Sequence, residues 1–138
     1  MGGSGKPAYA VIVLASGMST FFSPLPSDLQ SAIKAVNKLT SAGGKSANIN
    51  TTSDKLFLLS EVEVFGSADR SFTGEGSQYE WYKAGNTTIK KVNGSAYHWW
   101  ERSPSKDYPA YFCVVSSSGS TSIEGASENR GVSFAFCV

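Results

Sequence analysis

Gly131-Val132-Ser133-Phe134-Ala135-Phe136-Cys137-Val138 is the stretch from which the fold is read. Val132, Phe134 and Phe136 alternate with small residues, and at a period of two they share one face of an extended chain. Upstream, Tyr111-Phe112-Cys113-Val114-Val115 has the same β-branched and aromatic character. Tyr97 to Glu101 makes a third such piece, and Pro and Gly punctuate the intervals between them. The later part of the chain therefore reads as several short strands.

The earlier part reads differently. Ser27 and Gln30 have capping-box spacing after Pro26, and Leu29, Ile33, Val36 and Leu39 recur on one helical face. Gly43-Gly44 then acts as a stop, and Lys34 and Lys38 sit where a helix dipole favours cations. The spacing predicts a helix from Ser27 to about Ser41, followed by a polar loop from Gly43 to Ser53. Lys55 to Leu59 (KLFLL) predicts a short buried strand. Ser60 with Glu63 repeats the capping-box spacing, so a short helix through Val64 is expected, stopped at Gly66. Ala68 to Ser77 reads as a polar loop, and Gln78 to Ala84 as one or two helical turns ended by Gly85-Asn86. Helices early and strands late predict an α+β domain rather than alternating βαβ units.

At 138 residues the chain fits one domain, long enough to bury roughly two-thirds of its unfolded surface. Residues 1–5 (Met-Gly-Gly-Ser-Gly) read as an expression scar, and residues 6–138 as one domain. Tyr9 to Ala15 (YAVIVLA) loosely imitates a secretory signal but is too short to span a bilayer, which takes about 20 apolar residues. A buried strand is the better reading of it. A net charge of +1 gives no footprint of a nucleic-acid binder, and the lysines at 34, 38 and 45 and at 90 and 91 read as solvated faces.

Motifs for catalysis are lacking. No nucleophile elbow, phosphate loop, zinc-helix or calcium-loop pattern occurs, and two cysteines with one histidine do not supply a zinc site. Asp107, Glu124, Glu128 and Asn129 are too scattered to mark a calcium site, and the sequence leaves calcium dependence open. No cofactor and no metal is expected. Glu61 and Glu63 are acidic residues complementing a helix start rather than a catalytic pair. His98, beside Trp99-Trp100, reads as packed at the edge of an aromatic cluster; the rival reading makes it a general base near Ser103 or Cys113. Cys113 and Cys137 are either buried free thiols or, if their strands pair, a disulfide.

What stands out is the order of pieces in the last third. Trp99-Trp100-Glu101-Arg102-Ser103-Pro104 is a bulky anchor with a cation and a turn. Ser116-Ser117-Ser118-Gly119-Ser120-Thr121-Ser122 is an irregular polar excursion, and the buried strand from Gly131 follows. Small polar loops on a rigid scaffold are how adaptable binding surfaces are composed. An ordinary surface loop is the competing reading.

These motifs resemble a family. Leu56 to Gly66 (LFLLSEVEVFG), Trp99 to Pro104, Phe112-Cys113-x-Val115 and Gly131 to Val138 look like a domain of unknown function of gut bacteria and their phages. Its layout is similar to the formylglycine-generating-enzyme branch of the C-type-lectin fold. Leu58 to Val64 corresponds to that branch's helix start, Trp99 to Ser103 to its Trp/Arg-Ser region, and Gly131 to Phe136 to its final strand. Phe21 to Ile33 also looks familial, so the likeness covers roughly residues 17 to 138.

The resemblance implies a C-type-lectin-like fold: two helices on short, twisted, mainly antiparallel sheets with much irregular loop. It also implies a non-catalytic recognition domain, since this branch includes the variable proteins of diversity-generating retroelements. There, adenine-directed mutagenesis rewrites a C-terminal cassette. The ligand-binding residues it implies here are Trp100, Ser103, Ser105, Asp107, Tyr108, Tyr111, Val114, Ser116, Ser118, Ser120, Ser122, Ile123 and Arg130. Lys106, Glu124 and Glu128 depart from the pattern, because adenine changes in an asparagine codon cannot produce them. The implied partner is a protein or glycan ligand on a host or neighbouring cell, with no nucleic acid and no membrane insertion; an oligomer is compatible with it. The implied setting is a phage tail tip or a bacterial surface, and longer relatives carry a further β-rich segment upstream. A purely structural virion or adhesin domain is the alternative. A formylglycine-generating-type oxidase is a poorer fit, because that chemistry uses a close cysteine pair.

Overall fold

The computed structural model describes the backbone of residues 11–13 and the whole of residues 22–138. The first described strand, β1 (Val11–Val13), lies within the apolar Tyr9–Ala15 run. The rest of that reading, and residues 1–5, fall outside the described residues. The order then runs α1 (Ser27–Ala32), β2 (Val36–Gly43), β3 (Ser46–Asp54), β4 (Phe57–Leu58) and α2 (Glu61–Phe65). It continues with α3 (Glu80–Lys83), β5 (Lys90–Val92), β6 (Ser95–Tyr97), β7 (Trp99–Pro104), β8 (Tyr111–Val115), β9 (Thr121–Gly125) and β10 (Gly131–Ala135).

The expected helix from Ser27 to Ser41 is corrected: only Ser27–Ala32 is helical. At Ile33 the backbone turns extended (φ −69°, ψ 124°), and the next amide, Lys34 N–H, donates to the Cys137 carbonyl at 2.8 Å. Leu29 and Ile33 keep the core-facing role that periodicity gave them, packing with Val132, Phe134 and Phe136. From Val36 onward the chain instead pairs antiparallel with β3, Val36 opposite Asp54 through Gly43 opposite Ser46. Sheet pairing over so many residues outweighs the weak helical preference of Val36 and Thr40. The capping box at Ser27 is also corrected. No side-chain cap forms, and Gln30 Nε2 donates back to the Ser23 and Leu25 carbonyls.

The predicted Gly43–Ser53 loop is a hairpin turn followed by β3. Gly44 (φ +60°) and Lys45 (φ +69°) are both left-handed, the mirror-image turn whose twist matches its flanking strands. Serine, asparagine and threonine fill β3 because its side chains are mostly exposed.

The second capping box forms as its spacing predicts. Ser60 Oγ accepts from Glu63 N–H at 3.1 Å, Glu63 accepts in return from Ser60 N–H at 3.0 Å, and Gly66 closes α2 in the left-handed region (φ +77°). Such a cap contributes about 1 kcal/mol, and here it fixes where two acidic side chains enter the interior.

The central sheet has strand order β1-β10-β7-β8-β9, with β4 also pairing β10. β10 and β7 are parallel; the other pairs are antiparallel. On one side Trp99, Val115 and Ala135 pack with Phe57, Leu59, Val64 and Cys137 beneath α2. On the other, Trp100 lies against the cluster built from Ile33, Val132, Phe134 and Phe136. The molecule is mixed α+β, mostly β, with short helices. The β5–β6 hairpin, turning on Asn93 (φ +49°) and Gly94 (φ +84°), was not foreseen.

Candidate functional site

The Trp-Trp-Glu-Arg-Ser-Pro segment is built into the frame of the molecule. Trp99 is fully buried, donates its indole N–H to the Thr88 carbonyl at 3.0 Å, and carries the Lys90 ammonium over its ring at 5.1 Å. Arg102 spreads its guanidinium over β2, β4, α2 and the segment that carries Glu75. It donates to the Leu39 carbonyl and Thr40 hydroxyl of β2, to the Leu58 carbonyl, to the Glu75 carbonyl, and to the Glu63 carboxylate. Lys38 Nζ reaches the same carboxylate from β2 and lies 4.2 Å from the centre of the Phe57 ring. Burial pulls the Lys38 ammonium below its ordinary value, which Glu63 opposes.

Beneath this side of the sheet the interior is acidic. Glu61, Glu63, Glu75 and Glu101 are all buried. Glu61 accepts from the Arg70 and Ser71 amides and from the Ser71 and Thr121 hydroxyls. Glu75 accepts from the Ser41 amide and the Ser103 hydroxyl, and burial raises its carboxyl above the ordinary range. Burial raises Glu101 further, with Glu61 and Glu75 adding to the effect. These carboxylates sit inside the wall rather than in an open cleft. Among the described residues no group of three or more His, Cys, Asp or Glu is placed to hold a metal ion.

The surface offers a different chemistry. Tyr108 is 55% exposed and Tyr111 40%, with ring centres 5.3 Å apart at a 45° tilt. Phe112, 37% exposed, lies at a shallow groove of about 230 Å³ lined by Leu58, Trp100, Glu101, Arg102, Phe112 and Ala126. The loop that presents Tyr108 is fixed from below. Ser105 Oγ accepts from the Asp107 and Tyr108 amides, Ser105 N–H donates to the Tyr111 carbonyl, and Lys106 N–H donates to the Arg70 carbonyl.

The residues expected to bind ligand do not form one patch. Tyr108, Tyr111 and exposed Asp107 gather at the start of β8. Ser116, Ser118 and Ser120 form a tight turn at its other end, where Ser116 and Ser118 hydroxyls lie 2.8 Å apart. Ser122 and Ile123, half-buried on β9, lie between them, and half-buried Trp100 borders the groove. Three expectations of surface display are corrected by burial. Ser103 donates to Glu75 and accepts from the Glu61 amide, Ser105 caps its own loop, and Val114 is fully covered. Arg130 is committed to Glu124 at 3.2 Å and Glu128 at 3.6 Å. His98, just ahead of β7, accepts from the Ser117 amide at 2.7 Å and stands 3.8 Å from Glu124.

Cys113 and Cys137 are buried free thiols, so the disulfide alternative is not realised. Cys113 stands on β8, whereas Cys137 lies just past β10, which β7 separates from β8. Burial raises both thiols above their ordinary range. Sequence reasoning missed Phe112 and the interior carboxylates. Phe112 carried a signal, because it alternates with buried Cys113 in a strand already recognised. Glu101 carried one too, as an acid two residues from buried Trp99.

The fold and site together define a mixed α+β domain with a rigid acidic interior and an exposed aromatic edge. The family model described as a domain of unknown function (DUF6273) matches residues 18–138, and the chain belongs to that family. No curated protein and no solved structure matches the chain. No helix among the described residues is long and apolar enough to cross a membrane.

Proposed function

We propose that this chain is a non-catalytic recognition domain whose ligand meets the Tyr108–Tyr111–Phe112 edge and the adjoining groove. One observation carries the reading: three large aromatic side chains remain in solvent close together in the chain, Tyr108 on a loop held by backbone hydrogen bonds to buried Ser105, and Tyr111 and Phe112 at the start of β8, with Phe112 lining a groove. Rigid aromatic anchors presented at little entropic cost are what binding hot spots are made of. The same reading takes the fold to be C-type-lectin-like and the edge to be open to retroelement diversification. Its ligand is a protein or glycan on a host or neighbouring cell, met from a phage tail tip or a bacterial surface. The cysteine-oxidase alternative has less support, since β7 separates Cys113 on β8 from the segment past β10 that carries Cys137.

The test uses immobilised glycans and whole bacterial cells as probes, with wild type beside the Tyr108→Ala/Tyr111→Ala variant. Loss of one hot spot's worth, about 2 kcal/mol or roughly thirtyfold in affinity, is expected. The melting temperature should move by no more than about 2 °C, because both rings are exposed. Unchanged capture would refute the assignment, and a large drop in stability would return the tyrosines to packing and favour a structural virion or adhesin domain.

A further inference from the structure

Glu101 is 1% exposed, and neither of its carboxyl oxygens has a hydrogen-bond partner. Its buried neighbours are treated differently: Glu61, Glu63 and Glu75 each take donors from amides, hydroxyls or cations. The groups that face Glu101 come from every element packed on that side. They are Glu61 and Glu63 of α2, Glu75 of the 67–79 segment, Arg102 of β7, Cys113 of β8 and Tyr82 of α3. Three are carboxylates. The cation among them, Arg102, is already engaged by Glu63 and by three backbone carbonyls. A charged Glu101 would be an unsolvated anion among like charges, the costliest kind of burial.

We propose that Glu101 is a proton latch: in its neutral form α2 and the 67–79 segment close over β7 and β8, and loss of that proton opens this layer. The bonds that hold the layer shut are specific. Toward β7 the Ser103 hydroxyl donates to Glu75, the Glu61 amide donates to Ser103, and the Lys106 amide donates to the Arg70 carbonyl. Within the layer the Arg70 and Ser71 amides donate to Glu61 and the Ser60 hydroxyl to the Glu75 carbonyl, while the Ser41 amide ties Glu75 to β2. Glu101 and Arg102 also border the groove beside Trp100, but the latch is read from amide protection and a carboxylic-acid band rather than from ligand capture, so its failure and that of the ligand reading are distinguishable.

The direction follows from linkage. Burial holds the Glu101 carboxyl well above the 4.5 of the exposed group. Closure is thus complete below about pH 4.5 and weakens as pH rises toward the buried group's own value. Glu75, also raised by burial, pulls the same way. Lys38, lowered by burial, favours closure only at higher pH as it loses its proton, and Tyr82, pushed up to about 12, and Cys113 add nothing below about pH 8.

Amide hydrogen exchange of the intact chain between pH 5 and about pH 8 tests the latch. Protection factors at Arg70, Ser71 and Ser41 should fall with pH, by up to about tenfold per unit for one proton released. In Glu101→Gln that slope should flatten by the same amount. Parallel slopes in the two proteins, or constant protection in wild type, would overturn the proposal. A second measurement needs no change at Glu101. In Glu75→Gln at neutral pH, the infrared stretch of a protonated carboxylic acid should persist, and its absence would overturn the latch equally.

Discussion

Replacing Arg102 by alanine should cost this domain a large part of its stability, although the residue belongs to the segment that reads as a binding anchor. Its side chain is 10% exposed and its Glu63 partner 5%. Alanine leaves Lys38 as the one cation on Glu63, beside the Ser60 amide, and strips donors from the Leu39, Leu58 and Glu75 carbonyls. Breaking a buried pair from one side costs about 3–5 kcal/mol. Two or three orphaned acceptors at about 1 kcal/mol each lead to the same range. Arg102→Lys keeps the charge but not the fork that spans β2, β4, α2 and the Glu75 segment, so roughly half that loss is expected. Urea denaturation followed by tryptophan fluorescence reads the change, since Trp99 is buried in the adjoining core. A double-mutant cycle with Glu63→Gln should return a coupling of at least about 1 kcal/mol. A loss below about 1 kcal/mol for Arg102→Ala is what an exposed ion pair would show, and it would refute the clamp.

Ser60→Ala should lower stability by about 1 kcal/mol in the same assay through loss of the cap, and more if the hydroxyl's bond to the Glu75 carbonyl also counts. A thiol reagent should leave Cys113 and Cys137 unmodified in the native protein and label both in urea; rapid native labelling would contradict their burial. Lys38→Met should cost more than an exposed lysine would, because it leaves Arg102 alone to neutralise Glu63; a stability change within 0.5 kcal/mol of wild type would contradict that. Sequencing this coding region across many isolates should find substitutions gathered at exposed Asp107, Tyr108, Tyr111, Ser118 and Ser120, and sparing buried Ser103, Ser105 and Val114. Even, low variation would remove the diversification reading.

Local chemistry was legible wherever the decisive partner was close in sequence. Ser60, Glu63 and Gly66 specify α2 because its cap and stop lie within seven residues, and the alternation of β8 and β10 marks strands through their own side chains. The run from Val36 to Gly43 was misread because its partner is another strand, and periodicity counts spacing without seeing the pairing. The site divides the same way. Exposed tyrosines near a turn were visible as candidate anchors, since aromatic residues in a polar loop stand out by composition alone. Whether Ser103 and Val114 face a ligand or the interior was settled by strand order, which places Glu75 and Glu61 against Ser103. The acidic interior is the clearest case. Four glutamates spread from position 61 to position 101 look like ordinary surface charge in the sequence. Only tertiary packing brings them together out of water, where donors reach three of them and not the fourth.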